Sequence, residues 1–453
     1  MIGSPHVPGP RRPALSPNRK GGRLPRLPTS KPARLIPAAL AAAAALLVVA
    51  GCGGPQLSTA PSAPQPRVEA PPPLPPAPSG PAVVGLLLPL SGSGAKLGAD
   101  FLDAAQLALF DVGADAALEL VPRDTGDSPE GAVTAAHAAV DGGAQLLLGP
   151  LFGRSTAAVA PVAAARRVAV LSFSNDASVA RPGVYVLGFR PEEQVARVAQ
   201  FAAKRGLSRF AALAPDDAYG ALAVNSLRQS VGRIPGASVV GVERYGSRQG
   251  QDSTPAMRRL AALGGRPVEA DAPVAEQPGG APGGGAASAV PFAFDTLLVA
   301  DGGPRLRSVA ASLAFFGVNP SRTRLLGTSR WQQDDPAVLG EPAFQGAWLA
   351  TWSPGAVDGF TRRFRSAYGR TPLPLAVLAY DATALAALLA KGAGGFGPDQ
   401  LTDPQGFTGG SGLFRLRRDG LAEHGLAVVE VRNGVTRIVD PAPTSFPGGF
   451  ASR

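Results

Sequence analysis

Residues 85–98 read GLLLPLSGSGAKLG. An apolar run stops at a proline, a Ser/Gly cluster follows, and a helical pattern begins. The stretch predicts a buried strand over Val83–Leu88, a loop, and a helix over Leu97–Phe110 with apolar residues at helical spacing. Downstream the same grammar repeats. Strands are expected at Leu118–Val121, Gln145–Leu148 and Val168–Leu171, with helices from near Pro129, a good first-turn residue, and over Ser155–Ala165. A second series follows with helix Glu192–Arg205, strand Phe210–Leu213, helix Ala218–Val231, strand Ser238–Val242 and helix Pro255–Leu263. It continues through strand Thr296–Ala300, helix Arg305–Phe316 and strand Arg324–Leu326. Two βαβ series joined head to tail imply an α/β chain with two doubly wound parallel sheets. Residues 264–291, rich in Gly, Pro and Ala, interrupt the second series. They are expected to be a disordered surface insertion, because the strand–helix pattern resumes directly after them.

Past residue 350 the pattern changes. Pro354–Tyr368 and Pro374–Lys391 are predicted helices, and residues 413–438 short strands broken by Asp419-Gly420 and Asn433-Gly434 turns. Pro374–Lys391 is apolar enough to suggest a membrane span. Its short length, with Tyr380 and Asp381 at its middle, favours a buried helix.

The N-terminus carries an address. The chain has 453 residues and a formal charge of +10. Eight of its 43 basic groups lie in residues 1–51, which hold no acid, so the remainder sits near +2. The basic balance is therefore local and argues against nucleic-acid binding by the body. Residues 35–51, LIPAALAAAAALLVVAG, form an apolar core of secretory length and lead into Cys52, the only cysteine. Val49-Ala50-Gly51-Cys52 resembles the lipobox of bacterial lipoproteins, which implies a diacylglyceryl thioether on Cys52. Residues 53–82 hold eleven prolines and predict an extended tether, able to reach up to ~90 Å from a membrane. The absence of Asp after the cysteine favours the outer membrane, by resemblance to lipoprotein sorting.

Several strings then fall in order: the opening stretch, Asp124-Thr125-Gly126-Asp127-Ser128-Pro129, Gly149-Pro150 with Ser155, Ser172-Phe173-Ser174-Asn175, Phe189-Arg190-Pro191, and Asp216-Asp217-Ala218-Tyr219-Gly220. Together they resemble the type I periplasmic binding proteins, in the leucine/isoleucine/valine-binding branch. Within it the chain looks most like the penicillin-binding-protein activator lipoproteins, although it lacks their N-terminal helical-repeat domain. The resemblance implies a leucine-binding-like domain over residues 83–440 with a cleft between two lobes. Lobe one would comprise 83–189 and 353–405, and lobe two 190–352 and 406–440. It also implies ligand contacts from Ser155, Thr156, Ser172, Ser174, Asn175 and Tyr219. Hydroxyls and backbone N–H groups at a helix N-terminus make an anion site without a lysine. The bland alternative is that these residues cap helices and turn the chain. Where the family places an acid for an amino-acid ammonium, this chain reads Gly327-Thr328-Ser329-Arg330-Trp331, leaving only Asp301 or Asp217 nearby to substitute.

The function these readings imply is a periplasmic lipoprotein, anchored to the cell envelope, that binds an amino acid or related small molecule for an ABC permease. The alternative is a non-enzymatic activator of a penicillin-binding protein or peptidoglycan synthase. No cofactor, metal or catalytic residue is expected. One cysteine and three scattered histidines, His6, His137 and His424, make no convincing metal set. Ser93-Gly94-Ala95-Lys96 fits S-x-x-K but lies in a glycine loop with no K-T-G after it.

Overall fold

A computed structural model describes residues 80–114, 116–246, 252–263, 292–392 and 394–446. The leader, Cys52, the tether before residue 80 and the 264–291 insertion lie outside these residues. β1 (Ala82–Leu88) is central to the first sheet, and Val84–Leu88 are enclosed in succession. α1 (Ala95–Val112) returns the chain to β2 (Leu118–Asp124), parallel to β1. α2 (Pro129–Asp141), capped by Ser128, leads to β3 (Leu146–Leu148) on the other side of β1. α3 (Gly153–Ala165), β4 (Ala169–Ser172) and β5 (Val184–Val186) complete an all-parallel sheet of order β2-β1-β3-β4-β5. Two glycines of the deciding stretch explain its composition. A Cβ on Gly85 would lie 2.8 Å from both Ala139 and Leu147, and one on Gly98 would lie 2.0 Å from the Pro89 carbonyl. Gly85 lets α2 seat against β1, and Gly98 lets α1 press on the loop after it.

The second sheet repeats the winding. α4 (Pro191–Lys204) precedes β6 (Arg209–Pro215), α5 (Ala218–Val231), β7 (Ser238–Tyr245) and α6 (Thr254–Ala262). Next come β8 (Thr296–Val299), α7 (Pro304–Phe315), β9 (Arg324–Gly327), the short α8 (Arg330–Gln333) and β10 (Trp348–Thr351). The parallel part runs β7-β6-β8-β9-β10, the same order as in the first sheet. Each lobe therefore reverses its strand order between its first and third strands, and such reversals are where open α/β sheets leave a crevice.

α9 (Pro354–Tyr368) and α10 (Val377–Lys391) return to the first lobe, where the Tyr380 hydroxyl donates to Asp111 of α1 at 2.8 Å. α10 is thus a packed core helix, as its Tyr-Asp pair foretold. After α11 (Pro398–Leu401), β11 (Phe407–Gly409), β12 (Gly412–Leu416) and β13 (Ala422–His424) form a separate antiparallel sheet. Only β14 (Ala427–Arg432) and β15 (Val435–Asp440) join the second sheet, antiparallel, beside β10. Their turn has Asn433 at φ 51° and Gly434 at φ 77°, the left-handed pair that a two-residue hairpin requires.

Three strands escape sequence reading. β5 is three residues, Val-Tyr-Val, β10 is Trp-Leu-Ala-Thr, and β11 is Phe-Thr-Gly. Each is too short to carry a period of its own and is strand only because a neighbour pairs with it.

Candidate ligand cleft

The carboxyl ends of β3 and β4 bring the predicted first-lobe residues together. Thr156 and Ser172 are fully enclosed, and their hydroxyl oxygens lie 2.6 Å apart. Ser172 Oγ is also 3.1 Å from the Pro150 carbonyl and accepts the Ser174 N–H at 3.1 Å. Thr156 Oγ1 lies 3.0 Å from the Phe152 carbonyl, which already accepts the Thr156 N–H. The two hydroxyls share one hydrogen bond, and whichever of them donates to the other, the remaining proton goes to a backbone carbonyl, Pro150 or Phe152. Both hydroxyls are consumed in pinning the β4 loop to α3.

Ser155 is different. It is 5% exposed, and its hydroxyl bonds to no other described residue. It sits in the first turn of α3, whose N-terminal N–H groups receive no side-chain cap. Ser174, buried in the loop after β4, accepts the Asp176 N–H at 3.0 Å and keeps its own proton. Asn175 is exposed.

The loop after β1 is held by two carboxylates. Asp124 accepts the N–H groups of Leu90, Ser91 and Gly126 at 2.8, 3.2 and 2.8 Å. Asp127 accepts those of Ser93 and Gly94 at 2.6 and 3.1 Å. The Ser91 hydroxyl and the Gly126 N–H hold Asp124 below the usual carboxylate range; the Ser93 and Gly94 N–H groups do the same for Asp127. The Asp-Thr-Gly-Asp string thus shapes the loop of the deciding stretch. No spacing in the sequence announced that pairing.

On the second lobe, Tyr219 and Thr328 share a hydrogen bond of 2.7 Å. The Arg330 guanidinium lies 4.5 Å above the Tyr219 ring and pairs with Asp334 at 2.8 Å. Burial pushes the Tyr219 phenol up to about 12, so it remains neutral and can donate. Gln194 of α4, absent from the predicted set, accepts the Ser329 N–H at 2.8 Å and fixes the start of α8.

The two candidate amine partners are already engaged. Asp301 is fully enclosed and accepts from Tyr245 at 2.5 Å, from Arg305 at 2.8 and 2.9 Å, and from the Gly302 N–H at 2.8 Å. Asp217 caps α5 through the Gly220 N–H at 2.8 Å and lies 3.8 Å from Arg305. The suggestion that Asp301 substitutes for the family's acid is thereby corrected: its lone pairs are taken by Arg305 and Tyr245. Among the described residues, no three His, Cys, Asp or Glu side chains gather to hold a metal.

A family model described as periplasmic binding protein matches residues 81–435. A branched-chain amino acid ABC transporter periplasmic ligand-binding protein from Burkholderia xenovorans is similar in structure, at 18% identity and a TM-score of 0.61 over 80% of this chain and 95% of that one. A leucine binding protein from Thermotoga maritima, at 21% identity and TM-score 0.52, covers 80% and 98%. A solute binding protein from Rhodopseudomonas palustris, solved with benzoate, gives 18%, 0.54, 81% and 98%. No curated protein matches the chain. The structural likenesses support the fold, and the family match spans well over half the sequence. The chain belongs to the periplasmic binding protein family.

Proposed function

We propose that this protein is a lipid-anchored, extracytoplasmic solute-binding protein that takes a small organic carboxylate between its lobes and presents it to an ABC-type transporter. The observation that carries the reading is Ser155: a buried residue whose hydroxyl has no partner among the described residues, at the uncapped N-terminus of a 13-residue helix. A carboxylate there gains the Ser155 and Ser174 protons together with the helix N–H groups and dipole. Thr156 and Ser172 act behind them by fixing the loop. Asn175 lies at the rim, and Tyr219, steadied by Thr328 and Arg330, covers the ligand from lobe two. Lobe one is then residues 83–189 and 353–405, and lobe two 190–352 with the terminal hairpin.

The ligand's other end decides its class. An ammonium in a closed cleft needs an anion. Asp301 and Asp217 are engaged, and Arg330 adds positive charge. Among the described residues the one carboxylate oxygen buried without a partner is Glu192 Oε2, in the first turn of α4. Glu192 is the one acid an ammonium could still find. With Asp301 and Asp217 taken and Arg330 adding positive charge, the reading is a carboxylate without an amine, the chemistry of the benzoate named for the Rhodopseudomonas relative. Cys52 supplies the anchor and residues 53–82 the reach, on the outer-membrane side of the periplasm.

The test is a thermal-shift panel of benzoate, 4-methylpentanoate, leucine and peptidoglycan fragments on the purified chain. A ligand at 100 times its dissociation constant should stabilise by ~2.7 kcal/mol. Benzoate or 4-methylpentanoate is expected to stabilise the wild type and not Ser155→Ala. Leucine binding that disappears in Glu192→Gln would show the ligand to be an amino acid. Silence to all small carboxylates, with capture of a penicillin-binding protein, would overturn the transport reading in favour of synthase activation.

A further inference from the structure

A cavity of about 590 Å³ opens on the first lobe at the end opposite the cleft. Its walls come from the second half of α3, the amino ends of β4 and β5, and the segment leading into α11. The predicted cleft residues lie at the carboxyl end of β4, a strand's length away, or about 10 Å. The size is that of a small-molecule site.

The lining combines two kinds of chemistry. Ala160, Val184, Phe396 and Leu401 give an apolar interior. Arg167 and Arg181 stand exposed around it, and neither guanidinium pairs with a carboxylate among the described residues. Arg181 Nε donates only to the Val179 carbonyl, at 3.3 Å. Tyr185 also lines the cavity; it is 2% exposed, yet its hydroxyl bonds to no other described residue. Arg167 has a φ of 56°, the left-handed conformation after a helix end that glycine adopts without strain.

We propose that this cavity is a second binding site, independent of the interlobe cleft, for an amphipathic organic anion. The apolar body rests against Val184, Phe396 and Leu401. Its anionic head lies between Arg167 and Arg181, with the Tyr185 hydroxyl as donor. An apolar pocket holding a few convergent polar groups selects such a molecule by burying its tail and pairing its charge.

The test uses octanoate, with octylammonium and octanol as charge controls, titrated calorimetrically into the full chain. Octanoate should bind saturably and at least about tenfold more tightly than either control. Arg167→Gly with Arg181→Gln should remove that preference, and the glycine accepts the left-handed backbone, so the fold is retained. Ala164→Trp, placed on the cavity wall, should block octanoate while both arginines remain. A diazirine analogue of octanoate should label peptides spanning residues 160–169 and 181–185. In Ser155→Ala the labelling of these peptides and the arginine-dependent share of octanoate binding should persist, which separates the cavity from any octanoate taken up in the cleft. Absence of saturable binding, equal binding of octylammonium, or octanoate binding lost in Ser155→Ala and retained in the arginine and tryptophan variants would each overturn the proposal.

Discussion

Phe189 and Trp352 stack with ring centroids 4.5 Å apart and planes inclined by 27°. Phe189 lies between β5 and α4, and Trp352 between β10 and α9, so the stack joins two of the chain's passages between sheets. His424, from the end of β13, meets the edge of Phe189 at 6.2 Å and places Nδ1 2.9 Å from Glu193.

Among the described residues Trp352 Nε1 is buried without a partner, so the indole contributes area and no hydrogen bond there. Trp352→Phe should therefore change stability by less than ~1.5 kcal/mol, whereas Trp352→Ala should cost about 3–5 kcal/mol through the cavity it leaves. Urea unfolding of both variants checks this. A loss of more than ~3 kcal/mol in Trp352→Phe would mean that the N–H has a role in the folded state.

The hydroxyls of the cleft should divide into two sets. Ser155→Ala should weaken the bound carboxylate roughly ten- to hundredfold and leave unfolding unchanged within ~0.5 kcal/mol. Ser172→Ala leaves the Ser174 N–H without its acceptor and breaks the buried pair with Thr156, and should destabilise by about 1–3 kcal/mol. The reverse pattern in calorimetry and chemical denaturation would assign ligand contact to the Thr156–Ser172 pair.

Asp381 gives a pH signature. It is almost wholly enclosed on α10 and accepts the Gly410 N–H, the Ser411 N–H and the Ser411 hydroxyl. Burial raises its pKa from 3.8 to about 6, overcoming the donors. Between these values the folded chain binds a proton that the unfolded chain has lost, so stability falls as pH rises from about 4 to above 6. The contribution is on the order of 3 kcal/mol. Asp124 and Asp127 are shifted the other way, so their stabilisation is present above pH ~4 and is lost below it. Subtracting the stability–pH curve of Asp381→Asn from that of the wild type should isolate the fall between pH 4 and 6. Parallel curves across that window would place the Asp381 pKa at its ordinary value.

Cys52→Ala should release the protein from membrane fractions, since one diacylglyceryl thioether supplies the two acyl chains that stable anchoring needs. Persistence of the variant in salt-washed membranes would exclude the lipobox reading.

Most of the parallel winding was legible because its strands are continuous apolar runs between turn signals. Helices Ala218–Val231 and Pro354–Tyr368 occur with the expected ends. β5, β10 and β11 were not legible, since a three- or four-residue strand is defined by its partner. Sequence order placed Ser155, Ser172 and Tyr219 at the strand-to-helix ends where they lie in the fold. It could not distinguish the free hydroxyl of Ser155 from the committed one of Ser172, because that depends on where side chains point. Nor could it reveal that Arg305 and Tyr245 occupy Asp301, or that Phe189, Trp352 and His424 meet from distant parts of the chain.

The Asn433-Gly434 hairpin also affects how the molecule is assembled. A two-residue turn lets β14 and β15 pair within microseconds, without waiting for the rest of the chain. Docking on β10 is slower, because the intervening helices and the third sheet must first bring Ala427–Arg432 alongside Trp348–Thr351. Until then β10 presents an apolar edge with unpaired N–H and C=O groups, a template for pairing with another chain. A nascent chain cut short before residue 427 would leave that edge open, so β14 is the strand that closes the sheet on this side.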